Sequence, residues 1–320
     1  MSAVKQVAIW AATTLLAASA AAADGGALRV LMIGNSFAFS VMAELPKIVE
    51  SQDKYKLDIT CMHIGGCSLQ RHIREYERAV ADPTHRPYRI YRFVSGQGRL
   101  PMKPGNLPEM LKEAPYDIIT IQQASPSSFL AESWIPWGDN LVALVREKQP
   151  SAKIMIQQTW SYRSDSPRLK NYGFTSDGMY EKIRAVYDER AKHFGFELIP
   201  TGDAVQLFRA KSAVRFEPYP AAELKKFEYP RLPSYKGDVV GRHSWVRRRK
   251  GGKYVLKADT IHLNPDGQYL QGCLWFGVLF GADVRKIAYA PEKLSGAEAE
   301  LLRECAALAL EGRKAKPEKE

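Results

Sequence analysis

The sequence predicts an α/β fold: a central, mostly parallel sheet of five strands with helices on both faces. Two observations carry this. Short apolar runs alternate with amphipathic helical patterns about five times, which is how successive βαβ units read. No internal repeat and no inter-domain linker interrupts the series, so the strands are expected to share one sheet. In such sheets, sites lie at the carboxyl ends of strands.

Taken in order, Leu28 to Ile33 is the first strand and stops at Gly34. Phe37, Val41, Met42, Leu45 and Val49 then share one helical face. Leu57 to His63 is the second strand, ended by Gly65 and Gly66, and Ser68 caps a helix reaching about Ala81. The stretch from Pro83 to Lys103 is rich in Pro, Gly and Arg and reads as irregular. Leu107 to Lys112 is a short helix and Asp117 to Gln122 the third strand. Leu141 to Lys148 is helical, Lys153 to Thr159 the fourth strand, and Met179 to Phe194 a strong amphipathic helix. Phe196 to Pro200 is the fifth strand, followed by a helix near Ala204 to Ala210. From Lys211 to Ala258 the pattern dissolves into Pro, Tyr and basic residues, and a loop that long is usually functional or disordered. Leu263 to Ala282 is a helix with Pro265 in its first turn, and Gly296 to Glu311 is the last helix.

Composition sets the compartment. Apolar residues are 45% and charged residues 25% of the 320, which excludes wholesale disorder and a multi-span membrane protein. Lys5 precedes an apolar stretch that runs into small residues, with no charge until Asp24. Residues 1–23 therefore read as a cleaved secretory leader, the alternative being an uncleaved membrane anchor, and the mature chain is expected to be periplasmic or extracellular without stable membrane insertion. The net charge of +11 suggests an anionic partner. Outside the cytoplasm that points to acidic polysaccharide or cell wall rather than nucleic acid. Residues 24–312 form the expected domain, with long insertions at about 83–106 and 211–258, and residues 313–320 a solvated tail.

Cys61, Cys67, Cys273 and Cys305 show no C-x-x-C pair of the kind that holds zinc. Export permits disulfides, with Cys61–Cys67 and Cys273–Cys305 one of three pairings; burial as small apolar residues is the alternative. The six histidines show no H-E-x-x-H, no metal or other cofactor is implied, and His63 and His72 fall at a strand end and on a helix face.

Three features gather where a site would form. Gly34-Asn35-Ser36-Phe37 places a serine at a strand-to-helix turn, where backbone N–H groups stabilise an anion. Asp259-Thr260-Ile261-His262, followed by Asn264-Pro265, brings a carboxylate to an imidazole if the turn at the helix mouth is tight, leaving the other ring nitrogen for a serine. Gly65-Gly66 after the second strand lets a backbone N–H approach a ligand, and Gln122-Gln123 after the third offers amide donors. Each alone has a plain structural reading: a helix cap, a satisfied loop, a turn, a polar strand end.

Together, G-N-S-F, G-G, a polar amide and D-x-x-H-x-N in this order resemble the SGNH (GDSL-type) hydrolase superfamily. The wording LRVLMIGNSF, YDIITIQQAS and DTIHLNPDGQYL is most similar to its DUF4886-like branch, over roughly residues 28–285. The resemblance implies a three-layer α/β/α, flavodoxin-like fold and a serine esterase without cofactor. It implies Ser36 as nucleophile, His262 as general base and acid, and Asp259 as the orienting carboxylate. The oxyanion hole would use the N–H of Ser36 and of Gly66, or of Gly65. The superfamily usually has G-x-N after strand three; here Gln122, or secondly Gln123, stands in for that asparagine.

Around this centre Asn35, Gly65, Gln123, Trp245 and Arg247 are the expected substrate contacts. The basic segment from Gly241 to Lys257 leads straight into Asp259, and arginine suits bidentate recognition of carboxylate or sulfate. Trp134, Trp137, Trp160 and Trp245 offer flat platforms for sugar rings. The expected activity is removal of O-acetyl or other small acyl groups from a carbohydrate, an anionic polysaccharide in particular. The alternatives are a lipid or aryl esterase, hydrolysis of another glycan ester such as a sulfate, and a non-catalytic glycan-binding module. Oligomeric state is not legible.

Overall fold

The computed structural model describes residues 26–247 and 251–314; the leader assigned to residues 1–23, the basic residues 248–250 and the tail from 315 lie outside the described residues. In chain order the elements are β1 (Leu28–Gly34), α1 (Ser36–Phe39), α2 (Val41–Glu50), β2 (Leu57–His63), α3 (Leu69–Ala81), β3 (Tyr88–Val94), β4 (Gly98–Arg99), β5 (Lys103–Gly105) and α4 (Leu107–Glu113). There follow β6 (Ile118–Ile121), α5 (Trp137–Lys148), β7 (Lys153–Gln157), α6 (Pro167–Tyr172), α7 (Ser176–Phe194), β8 (Glu197–Ile199), α8 (Thr201–Lys211) and α9 (Ala221–Leu224). The chain closes with β9 (Val240–Arg247), β10 (Tyr254–Leu263), α10 (Pro265–Phe280) and α11 (Gly296–Lys314).

Five strands, β2-β1-β6-β7-β8, pair in parallel. They carry apolar side chains on both faces: β6 (IITI) is buried throughout, and β1 (LRVLMIG) is buried except at Arg29. Two-sided burial forces helices onto both faces. One layer holds α2, α8, α10 and α11; the other holds α3, α4, α5 and α7. The strand order is flavodoxin-like, so its reversal point falls between β1 and β6, where ligands bind at the carboxyl ends.

The sheet is wider than the sequence suggested. β3 adds antiparallel to β2, and β4 and β5 pair with β3, giving eight strands rather than five. The stretch read as irregular is thus an antiparallel sheet extension. Tyr88 and Ile90 are buried on one face of β3 and Phe93 on the other, while Arg89 is exposed and Arg92 half-buried, so an arginine interrupts the apolar signal on each face. The long segment after α8 is likewise not structureless: β9 and β10 form a separate antiparallel hairpin. Among the described residues no helix is long and apolar enough to cross a membrane.

All four cysteines are buried free thiols, so the disulfides permitted by export are not formed. They pack as small apolar side chains; burial pushes Cys67, Cys273 and Cys305 each up to about 12, well away from the reactive thiolate.

Helix α10 docks the carboxyl end of the hairpin onto the sheet, and its first turn holds a displaced carboxyl. Burial, then the Glu298 carboxylate, pushes Asp266 up to about 6, against the Tyr235 hydroxyl and Lys236. The folded state therefore keeps a proton that the unfolded chain releases near 3.8, and ionisation weakens the fold as pH rises through about 6. Asp266→Asn is expected to raise Tm relative to the parent protein at pH 8, with the advantage shrinking toward pH 4. Thermal melts at both pH values check this; a pH-independent difference contradicts it.

Candidate active site

The sheet's reversal point carries a serine. β1 ends at Gly34, and Asn35 turns the chain into α1 by accepting the Phe37 N–H on its side-chain oxygen at 3.0 Å. Asn35 is buried and fully engaged: Oδ1 also accepts from Gln122 Nε2 at 2.7 Å, and Nδ2 donates to the Cys67 carbonyl at 3.0 Å. It ties β1, β6 and the Gly65-Gly66 turn together and leaves the next residue, Ser36, at the surface of the turn. The Ser36 N–H has no acceptor among the described residues.

The partner imidazole arrives from the hairpin. Side chains at i and i+3 of a regular strand point to opposite faces. Here the register breaks: Asp259 pairs with Arg242, but Leu263 pairs with Val240, so four steps on β10 face two on β9. This bulge curls the strand, and Asp259 folds back over it, accepting the N–H groups of Ile261 (3.0 Å) and His262 (3.1 Å) on Oδ1. Its other oxygen lies 2.8 Å from His262 Nδ1, and His262 Nε2 lies 2.9 Å from Ser36 Oγ. Burial alone would raise the Asp259 carboxyl, but the His262 ring and the two backbone N–H groups hold it well below the usual carboxylate range. The pair thus sits in an irregular strand end, not in the tight turn at the helix mouth that the sequence suggested.

Neighbouring groups fix this segment. Trp160 Nε1 donates to the Ile261 carbonyl at 2.9 Å, and the Arg163 N–H donates to Thr260 O at 3.0 Å. The Trp160 ring also stacks on Phe37, with centroids 3.9 Å apart and planes 3° off parallel, and Phe37 meets the His262 ring edge-on at 5.6 Å. One indole therefore braces both the serine turn and the histidine strand. Asn264, fully buried, caps α10 through the Gly267 N–H and donates to Asp238 O and Gly241 O. Gly241 has φ +81°, and a Cβ there would lie 2.7 Å from Asp259 O, so only glycine lets β9 pass this close.

Ser36, Asp259 and His262 line a cavity of about 380 Å³ together with Phe39, Met42, Trp160, Arg99 and Arg242. Behind Asp259 and His262 lies a second, more open groove of about 440 Å³ that includes Arg168 and Lys257. His63 packs on Phe39 beside the first cavity; burial, then Arg89 and His262, lowers its pKa.

Several expected contacts are not in the cavity. Gln123 is spent on structure: Oε1 accepts the N–H groups of Leu69 and Ala124, and Nε2 donates to Ser133. Gln122 packs behind the serine turn with its amide on Asn35, so neither glutamine lines the cavity. Asn35 is a structural cap, for the reasons above. Gly65 and Gly66 are the exposed tip of a turn closed by Cys67 N–H to Ile64 O, with φ +62° at Gly66; they also lie outside the cavity lining. Trp245 donates to Arg231 O, and Arg247 bonds Gly252 O and covers Tyr254, both out on the hairpin arm. Trp134 is completely buried core; Trp160, equally buried, borders the cavity as the brace described above and exposes no platform, and Trp137 carries the Arg74 guanidinium. Sequence reasoning missed Arg99, because its strand was read as loop, and passed over Arg242 within the basic run.

An α/β sheet of this order, with a serine after its first strand reached by a histidine backed by an aspartate, defines the class. A family model, "Domain of unknown function (DUF4886)", matches residues 29–217. The chain belongs to the DUF4886 family. It is similar to the crystal structure of a DUF4886 family protein from Bacteroides uniformis ATCC 8492, with 25% identity and TM-score 0.71, over 92% of this chain and 98% of that one. A weaker likeness is to a protein from Slackia heliotrinireducens titled "a putative SGNH hydrolase", with 18% identity and TM-score 0.44, over 77% of this chain and 96% of that one. Comparison with curated proteins gives no match.

Asn35→Ala is expected to destabilise the protein by about 2–4 kcal/mol, since it removes a cap and strands the buried Gln122 amide. Urea unfolding checks this; an unchanged midpoint contradicts the structural role assigned to Asn35.

Proposed function

We propose that the protein is an exported serine hydrolase of SGNH type that removes small acyl groups, acetyl foremost, from the hydroxyls of a carbohydrate. The observation that carries the reading is the relay Ser36 Oγ, His262 Nε2, His262 Nδ1, Asp259 Oδ2, with spacings of 2.9 and 2.8 Å. In this account the Nδ1–H donates to Asp259, which leaves Nε2 bare to accept the Ser36 proton. Ser36 Oγ bonds the ester carbonyl carbon, and the carbonyl electron pair moves onto its oxygen. The unpaired Ser36 N–H stabilises that oxyanion. Collapse breaks the bond to the alcohol oxygen, which takes the proton now on Nε2. Water, deprotonated by the same nitrogen, then releases the acid and restores Ser36.

The small cavity and its mix of Phe39 and Met42 with polar groups suit a short acyl chain. Export and the carbohydrate rest on the leader-like segment and the basic charge. The Phe39 and Met42 wall also fits an aryl or lipid ester, which would show as activity rising with acyl length.

Purified protein is expected to hydrolyse 4-nitrophenyl acetate faster than the butyrate or octanoate, and to release acetate from acetylated xylan or pectin. Ser36→Ala should fall to background, and Asp259→Asn should lower kcat by about 10³–10⁴-fold. Undiminished turnover in Ser36→Ala overturns the proposal.

A further inference from the structure

We infer that the cavity beside Ser36 is an anion subsite, with Arg99 and Arg242 as specificity-determining residues for an ester that carries a carboxylate. The inference rests on the esterase reading above and names the substrate class of that same site. Both arginines line the cavity that holds Ser36 and His262, and they come from separate elements: Arg99 from β4, Arg242 from β9.

Neither has an ion-pair partner among the described residues. Several other arginines face carboxylates, Arg92 Asp58, Arg209 Asp238, Arg285 Glu304, and the buried Arg163 Asp165, whereas Arg74, Arg89 and Arg247 have no such pair among the described residues and lie outside the cavity. Arg242 stands directly across the hairpin from Asp259, a placement that invites an ion pair. Yet both Asp259 oxygens are committed, one to two backbone N–H groups and the other to His262. The bulge that builds the relay thereby turns Asp259 toward His262, and no ion pair with Arg242 forms among the described residues.

Arg99 is held in place by a gap in helix α2. Pro46 lies inside that helix and has no N–H, so the Met42 carbonyl lacks its helical donor. Arg99 Nη2 fills the gap, bonding Met42 O and lying 3.2 Å from Ala43 O. This anchors the guanidinium at the cavity wall with no side-chain anion against it. Two cations border one cavity whose only lining carboxylate, Asp259, is engaged by His262 and two backbone N–H groups. Guanidinium is the side chain best shaped for a carboxylate.

The carboxylate has two possible sources, the alcohol part of the ester, as in an acetylated uronic acid, or the acyl part, as in a hemisuccinate. The test compares kcat/KM for O-acetyl galacturonic acid with its methyl ester, a neutral match, and for 4-nitrophenyl hemisuccinate with 4-nitrophenyl butyrate. The parent protein should prefer the anionic member of at least one pair by about 10-fold or more at low salt. The first pair places the charge on the alcohol, the second on the acyl group. Arg99→Gln and Arg242→Gln should each cut that ratio about 10-fold, chiefly through KM; the double variant should bring it to about one, and the Lys variants should fall between. Melting curves establish that each variant is folded.

A parent ratio at or below one in both pairs, or a ratio kept in the double variant, overturns the inference. If the parent hydrolyses no ester, the esterase reading has failed, and the subsite is decided by titrating galacturonate against Ser36→Ala. Saturable, salt-sensitive binding lost in Arg242→Gln supports it, and no binding overturns it.

Discussion

The hydrogen bond between Ser36 Oγ and His262 Nε2 joins residues 226 positions apart, and most of the architecture is accountable as the means of making it. One end requires that β1 stop at the reversal point of the sheet and that Asn35 convert strand to helix within a single residue. The other requires a strand that is locally not a strand. The bulge in β10 permits Asp259 and His262 to meet, and the close approach at Gly241, the Asn264 cap and the Trp160 indole hold that irregular backbone still. Trp160 links the two ends directly, stacking on Phe37 while bonding Ile261, so displacement of one end is felt at the other.

Much of this was legible. The parallel strands are short apolar runs ended by glycine or amide residues, and β2 and α3 begin and end where periodicity and the Ser68 cap place them. Ser36, Asp259 and His262 could be named because G-N-S-F near the start and D-x-x-H-x-N near the end resemble, in that order, the SGNH superfamily. The remainder was hidden for physical reasons. β3 carries Arg89 and Arg92 among its buried apolar residues, one on each face, which erases the apolar run. β9 and β10 are partly exposed, so their composition is that of a loop. For Gln122, Gln123 and Asn35, sequence shows a polar group near a site but not which way its hydrogen bonds run, and here they run inward, to structure. Arg99 and Arg242 could not be distinguished from the many other basic residues until the fold placed both at one cavity with Ser36.

The family membership and the geometry answer different questions. DUF4886 membership fixes kinship, and the likeness to the Bacteroides uniformis protein extends over nearly the whole of both chains. Chemistry is argued from this chain's own side chains. The positive charge that looked like a property of the hairpin arm is at the centre a matter of two guanidinium groups, while Arg247 and Trp245 lie outside the cavity.

The claim on which all this rests is that Ser36 is made nucleophilic by His262. Reaction with a fluorophosphonate, followed by peptide mapping, tests it most directly. The account predicts a single adduct on Ser36 that forms at least about 10³-fold more slowly in His262→Ala. An adduct on another residue, or labelling of Ser36 that ignores the loss of His262, would contradict it.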